Sequence, residues 1–284
     1  MKWLITGAGG MVATDLHDEL ASRDEDVVAL TRSGLDITDS RAVNACVEEH
    51  APAVIVNCAA YTKVDLAETE ESAANAVNGS AVELLAAAAN AAGALLVHLS
   101  SDFVFDGTKR DPYEVTDPTG PVSAYGRSKL LGELAATHAE KHLVIRTSWL
   151  FGTNGPNFVE AIRNQIRKGT DPLRVVADQR GLPTYTPHLA RAITRLAFMA
   201  EHTEIARGIV HYADAGECTW FDFATAIAEE SGAKVTVNPV TTDEFPRPAR
   251  RPAYSVLSTE RYQRLTGIEP EPWREGLREY LGKR

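Results

Sequence analysis

Tyr125 and Lys129 stand four residues apart in the stretch SAYGRSK, residues 123–129. On a helix that spacing puts both side chains on one face. Two readings follow: an ordinary pair on a helix surface, or a phenol that gives up a proton beside its activating cation. Taken alone, the pair favours the ordinary reading, because both residue types are common. A second candidate is the turn Gly7-Ala8-Gly9-Gly10-Met11-Val12-Ala13. Glycine lets a backbone bend sharply and approach a ligand closely. A helix starting there offers free N–H groups and a partial positive charge to a pyrophosphate. The spacing G-x-G-x-x-G fits poorly, since Val12 takes the third glycine's place. The pattern G-x-x-G-x-x-A, on Gly7, Gly10 and Ala13, fits better.

The elements that must position these residues alternate through the first half of the chain. Short, nearly uncharged runs at 3–6, 27–30, 53–57, 95–99 and 143–147 read as strands. Between them, 11–22, 39–49, 73–92 and 125–141 read as helices, with Asp39 or Ser40 as a cap and Gly93 as a stop. Repeated strand–helix order predicts an α/β fold with a doubly wound parallel (Rossmann) sheet. After Trp149 the pattern changes. Helices are expected over 158–167, 188–200 and 220–231, a strand at 210–212, and a loop over the proline- and arginine-rich residues 239–252. The expected organisation is a dinucleotide-binding domain over 1–150 and a smaller, mainly substrate-binding lobe over 151–284. Part of 180–205 is expected to pack back on the first domain.

The glycine turn lies at the first strand–helix junction, which favours a ligand over a purely structural bend. The end of the second strand should then meet an adenosine ribose, where an acid selects NAD. Here Leu30-Thr31-Arg32 offers no acid. Arg32 either grips a 2′-phosphate through charge-assisted bonds or simply faces solvent.

The chain has 284 residues, 44% hydrophobic and 24% charged, with a net charge of −10. That balance suits a globular protein and argues against nucleic-acid binding. Cys46, Cys58 and Cys218 fit no metal or disulfide spacing. The longest apolar run, 82–99, is interrupted by Glu83, Asn90 and Gly93 and reads as helix plus strand, not as a membrane span. A cytoplasmic protein with no metal, no membrane partner and a monomeric or weakly dimeric state is the expectation.

The segments ITGAGGMVA, LDITD, NCAAYTKVDLAE, LSSDFVFDGTKRDPYEVTDPTGPVSAYGRSKLLGE, RTSWLFGTNGPNFV, DQRGLPTYT and RPAYSVLS together resemble the extended short-chain dehydrogenases/reductases. Within them the chain is similar to the dTDP-4-dehydrorhamnose reductase family. The resemblance implies hydride transfer from NADPH, with NADH as a second cofactor, to the C4 ketone of a nucleotide-sugar substrate. It implies Tyr125 as proton donor, Lys129 as its activator and ribose ligand, and Ser101 as the group that polarises the carbonyl. An ammonium beside Tyr125 is expected to lower its pKa. Gly7, Gly10, Met11, Val12 and Arg32 are assigned to the cofactor, Asp36 and Ile37 to its adenine end, and Ala59, Ala60, Tyr61 and Thr62 to the stretch along it. Thr62 is also assigned to the substrate, with Asp102, Phe103, Trp149 and Arg251. Trp149 is either a packing surface for the deoxysugar or a core tryptophan. Arg247 and Arg250 share the basic loop with Arg251, and one of the three is expected on the diphosphate.

Sugar-nucleotide 4,6-dehydratases usually carry an Asp-Glu pair after the serine or threonine. Here Phe103 follows Asp102, so simple reduction is the better reading. Reduction of a related dTDP-4-keto-6-deoxysugar stays open, as does a non-catalytic role like that of the regulatory subunit of methionine adenosyltransferase. His188 and Ser258 depart from the acids or asparagine that relatives often have there.

Overall fold

The computed structural model describes residues 1–282; Lys283 and Arg284, the end of the expected second lobe, lie outside the described residues. The first half runs β1 (Lys2–Thr6), α1 (Met11–Ala21), β2 (Asp26–Leu30), α2 (Ser40–His50), β3 (Val54–Asn57), α3 (Glu71–Asn75), α4 (Ala81–Ala92), β4 (Leu95–Ser101), α5 (Ala124–Ala136) and β5 (His142–Thr147). The second half adds β6 (Leu150–Phe151), α6 (Phe158–Arg167), β7 (Leu173–Val176), β8 (Arg180–Gly181), β9 (Thr184–Tyr185), α7 (Thr186–His202), β10 (Gly208–His211), β11 (Cys218–Thr219), α8 (Trp220–Glu230), β12 (Val237–Val240), α9 (Glu260–Thr266) and α10 (Trp273–Gly282).

Six strands form one sheet in the order β10-β5-β4-β3-β1-β2, every pair parallel. Successive side chains alternate between its faces. Ile5, Val56 and Val97 meet Leu16 of α1 and Leu189 and Ile193 of α7. Leu4, Ile55 and Leu96 meet Val43 of α2 and Leu85 of α4. Truncating any one of these fully buried leucines to alanine should cost about 2–5 kcal/mol. From β1 the chain turns one way to β2 and then the other way to β3. A crevice therefore opens at the carboxyl ends of β1 and β3, where ligands bind in such sheets. A separate core of Phe151, Ile162, Phe223, Ile227, Leu277 and Tyr280 stands beside the parallel pair of β7 and β12.

Several boundaries differ from the expectation. The helix expected over 73–92 contains a π-turn at Ala76–Ser80. There Asn78 is buried, with its side chain bonded to the backbone of Tyr61 and to Ser128. The helix expected to reach residue 141 stops at Ala136. The Asn90 side chain takes up the chain just beyond, donating to the His138 carbonyl and accepting from the Glu140 N–H. The expected loop over 239–252 begins inside β12, whose Pro239 pairs with Val175. A two-stranded sheet has only edge strands, where a proline is tolerated. No helix among the described residues is long and apolar enough to cross a membrane.

Candidate active site

The glycine turn sits at the crevice. Gly7 and Gly9 have φ of 71° and 89°, the left-handed region that glycine enters freely. A Cβ on Gly7 would lie 2.7 Å from the backbone of Ala59, so the β1 and β3 loops touch there only because the side chain is missing. Gly10 is the N-cap of α1; no side chain caps the helix, and no acid lies in its first turn. The helix end can therefore take an anion. A dinucleotide pyrophosphate fits that cradle. Val12 is a core side chain, as is Ile37, so Val12 can meet a cofactor only through its backbone. The loop after β6 crosses Met11, with Gly155 packed against its side chain.

At the end of β2, Arg32 is 85% exposed and only 3.7 Å from Asp36. Asp36 accepts from the Thr38 N–H and hydroxyl at 3.0 and 2.7 Å; those bonds, with Arg32 nearby, hold its carboxyl below the usual range. Ala59, Ala60 and Tyr61 follow β3, half-buried, and Thr62 is exposed. The Tyr61 backbone is fixed by Asn78, whose amide both accepts and donates there.

Ser101 ends β4. Its hydroxyl donates to Asp102 Oδ1 at 2.9 Å and accepts from the Phe103 N–H at 3.2 Å. Tyr125 lies in the first turn of α5, which Ser123 caps through the Gly126 N–H. Glu68 accepts from the next free N–H, that of Ala124, at 2.8 Å. Gly126 packs directly on the Phe103 carbonyl. That close approach sets the Phe103 and Tyr125 rings edge to face, 5.5 Å apart. One turn on, Lys129 is buried and its ammonium donates to the Leu99 carbonyl at 2.7 Å.

The electrostatics correct one expectation. Tyr125 is not lowered but pushed up to about 12, by burial and by the Asp102 charge, with the Ser101 hydroxyl working the other way. The Lys129 ammonium is turned to the Leu99 carbonyl, and burial sets the direction of the Tyr125 shift. Burial brings Lys129 down to about 8, against the pull of Glu133 and Cys58. Burial raises Asp102 to about 6, against the hydroxyls of Ser255 and Ser101.

Phe103, next to these residues, borders a cavity of about 570 Å³ whose wall also carries Trp149, Trp220, Arg174, Arg250 and Arg251. Trp149 has φ of 45°. Its ring lies parallel to Trp220 with centroids 3.5 Å apart, and part of it sits where a Cβ on Gly181 would be. Trp149 is thus at the cavity wall and packed at once. Arg251 does not stand free: Nη1 and Nη2 donate to the two oxygens of Asp65 at 3.0 and 3.1 Å. His188 is buried beside Asp214, with Nδ1 2.9 Å from Oδ2. Ser258 is buried, its N–H donating to the Tyr113 carbonyl.

Residue types alone did not single out Asp65, Asn78, Glu133 or Trp220. Glu133 had a readable signal, an acid four residues beyond Lys129 on the same helix. It is 3% exposed and accepts from Arg146 at 2.7 Å and from the Ser100 hydroxyl at 2.5 Å. In α1, Asp15 accepts from Thr186 and Glu19 pairs with Arg23.

The whole chain, residues 1–284, matches the family described as RmlD substrate binding domain. It is 43% identical to a dTDP-4-dehydrorhamnose reductase of Burkholderia thailandensis over 96% of each chain. It is 46% identical to a probable dTDP-4,6-dihydroxy-2-methyloxan-3-one 4-ketoreductase of Streptomyces antibioticus, covering 98% of this chain and 94% of that one. Among solved structures, it is similar to a dTDP-4-dehydrorhamnose reductase of Bacillus anthracis in complex with NADP. There the TM-score is 0.94, at 36% identity, over 100% of this chain and 99% of that one.

Proposed function

The chain belongs to the RmlD substrate-binding family, and from that premise we propose that it is an NADPH-dependent oxidoreductase reducing the C4 ketone of dTDP-4-dehydro-L-rhamnose to dTDP-L-rhamnose. NADPH, when bound, supplies the hydride that C4 takes up. Tyr125 gives the ketone oxygen its proton; a phenol with a pKa near 12 is protonated at neutral pH and so able to donate. Ser101, whose single hydroxyl hydrogen goes to Asp102, turns it to the ketone oxygen when substrate is bound and so polarises the carbonyl. Lys129 lies one turn away as the positive charge that stabilises the phenolate left behind. Gly7, Gly10, Met11 and Val12 take the pyrophosphate, Arg32 the 2′-phosphate, Asp36 and Ile37 the adenine end, and Ala59, Ala60 and Tyr61 the stretch toward the nicotinamide. Thr62, Asp102, Phe103, Trp149 and Arg251 face the nucleotide sugar. Action in the cytoplasm as a monomer or weak homodimer, with NADH as a second cofactor, belongs to the same reading.

What supports the assignment most is the gathering of Ser101, Tyr125 and Lys129 at one end of β4, beside an uncapped glycine turn and a cavity edged with arginine. The test is to offer dTDP-4-dehydrorhamnose with NADPH and follow loss of absorbance at the nicotinamide band. NMR of the product then fixes the configuration at C4. The likeness to the Streptomyces antibioticus 4-ketoreductase favours a second reading, in which a related dTDP-4-keto-6-deoxysugar is the substrate. The same NMR experiment, with that ketone offered in competition, separates the two.

A further inference from the structure

The Asp65 carboxylate gathers the basic loop of the second lobe. It accepts from both terminal nitrogens of Arg251 and, at 3.2 Å, from the Ala249 N–H. Arg247 Nη1 lies 3.8 Å away. Asp65 belongs to the segment after β3, and Ala249 and Arg251 lie 184 and 186 positions further on. Burial works against its charge, but Arg251, the Ala249 N–H and Arg247 together hold the carboxyl below its usual range.

The geometry of the pair leaves one face of the arginine open. A guanidinium has five N–H donors in a fixed plane. Asp65 takes one from each terminal nitrogen, and Ala249 O takes the second on Nη1 at 2.8 Å. The remaining donors, on Nε and Nη2, share one edge and have no protein partner among the described residues. Two parallel N–H groups on one edge match two oxygens of a phosphate. Arg251 borders the cavity. Arg174, Arg247, Arg250 and Arg251 line the cavity against the one lining carboxylate of Asp243, so its wall stays net positive with Asp65 counted too, and an anion is still attracted.

We propose that Asp65 is a positioning residue for the nucleotide sugar: it grips Arg251 end-on, so that the Nε–Nη2 edge is presented to the diphosphate. The proposal rests on the reading that Arg251 binds substrate. A guanidinium already fixed by its other edge loses little freedom when the phosphate arrives. Asp65 reaches the diphosphate through Arg251, while its contacts to the Ala249 N–H and Arg247 hold the same loop.

The experiment uses the full-length chain with dTDP as the probe, its Kd measured by calorimetry, alongside KM and kcat with the ketone. The variants are Asp65→Ala, Asp65→Asn, Arg251→Ala and the double alanine variant, each checked for an intact thermal transition. Asp65→Ala should weaken dTDP and raise KM about tenfold, the scale of one charge-assisted bond, with kcat and NADPH affinity nearly unchanged. Asp65→Asn, which keeps one acceptor and the side-chain size, should fall between and serves if the alanine variant does not fold. The double variant should be no worse than Arg251→Ala, because the two residues form one unit. If Arg251→Ala leaves dTDP affinity intact, the substrate reading of Arg251 fails, and this proposal with it. If Arg251→Ala weakens dTDP while Asp65→Ala does not, or tightens it, Arg251 survives as a ligand and Asp65 is no positioner. Additive losses would likewise overturn the idea that Asp65 acts through Arg251.

Discussion

Lys129 gives its ammonium hydrogen bond to the Leu99 carbonyl at 2.7 Å, which fixes the cation at the end of β4, one helical turn from Tyr125. Burial brings this lysine to about 8, so it is charged at neutral pH and loses its proton just above. In the proposed reaction the charged form stabilises the tyrosyl oxygen. The pH profile of kcat/KM, which reports groups on the free enzyme, should therefore fall on the alkaline side with a midpoint near 8. A profile flat to about pH 10, the range of an unperturbed lysine, would separate Lys129 from the chemistry.

Tyr125→Phe removes the hydroxyl and leaves the ring against Phe103. Loss of a general acid should lower kcat by roughly two orders of magnitude or more, with NADPH affinity little changed. Stopped-flow hydride transfer and cofactor titration check both halves. A variant that keeps most of its turnover would remove Tyr125 from the proposed role.

The sheet was readable because its signals are local. Runs such as Val54-Ile55-Val56 are β-branched and uncharged, and all of β3 is buried. The glycine turn was readable for the same reason. What lies far apart in the chain was not. The Asp65–Arg251 pair spans 186 residues, and no spacing rule reaches that far. Trp220 reads as the first residue of an amphipathic helix, and only the fold brings it to Trp149. The pKa of Tyr125 was expected in the wrong direction because spacing shows the nearby lysine but neither the burial nor Asp102.

Arg32 stands 85% exposed, with a 3.7 Å contact to Asp36 as its ion pair. Little would be lost when it swings to a 2′-phosphate. Arg32→Ala should cut kcat/KM with NADPH about tenfold, the loss of one charge-assisted bond, and leave NADH nearly untouched. The measurement is the ratio of the two cofactors in each protein; an unchanged ratio means that the guanidinium does not read the phosphate.

Asp102 is fully buried and raised to about 6. A carboxyl whose folded pKa lies above its unfolded value binds its proton more tightly when folded. Folding is then penalised increasingly as pH rises from the unfolded value, about 4, and in full above the folded one; below the unfolded value the penalty disappears. A shift of about two units corresponds to ~3 kcal/mol at neutral pH. Asp102→Asn should accordingly raise the melting temperature at neutral pH, with the gain shrinking toward pH ~4, while turnover falls. Melting curves across that range decide the matter, and a gain that does not depend on pH would mean packing, not charge.

Trp149 and Trp220 lie parallel with centroids 3.5 Å apart, at the wall of the cavity. Trp149 holds a left-handed backbone at φ 45°, which costs a bulky residue of order 1–3 kcal/mol. Such strain persists only where surroundings enforce it. Here the bare backbone of Gly181 makes room for the ring, and the Trp220 face holds it there. Removing Trp220 should release the Trp149 ring into several rotamers and blur the wall proposed to meet the sugar. Trp220→Ala is expected to raise KM for the nucleotide sugar about tenfold, with NADPH binding unchanged. Trp220→Phe, which keeps an aromatic face worth about 0.5–1.5 kcal/mol beyond its area, should restore most of the loss. Gly181→Ala puts a methyl group where the Trp149 ring sits and should produce the same KM defect from the opposite side. Equal kinetics in all three variants would mean that the stacked pair is only a piece of core, and that the sugar is read elsewhere in the cavity.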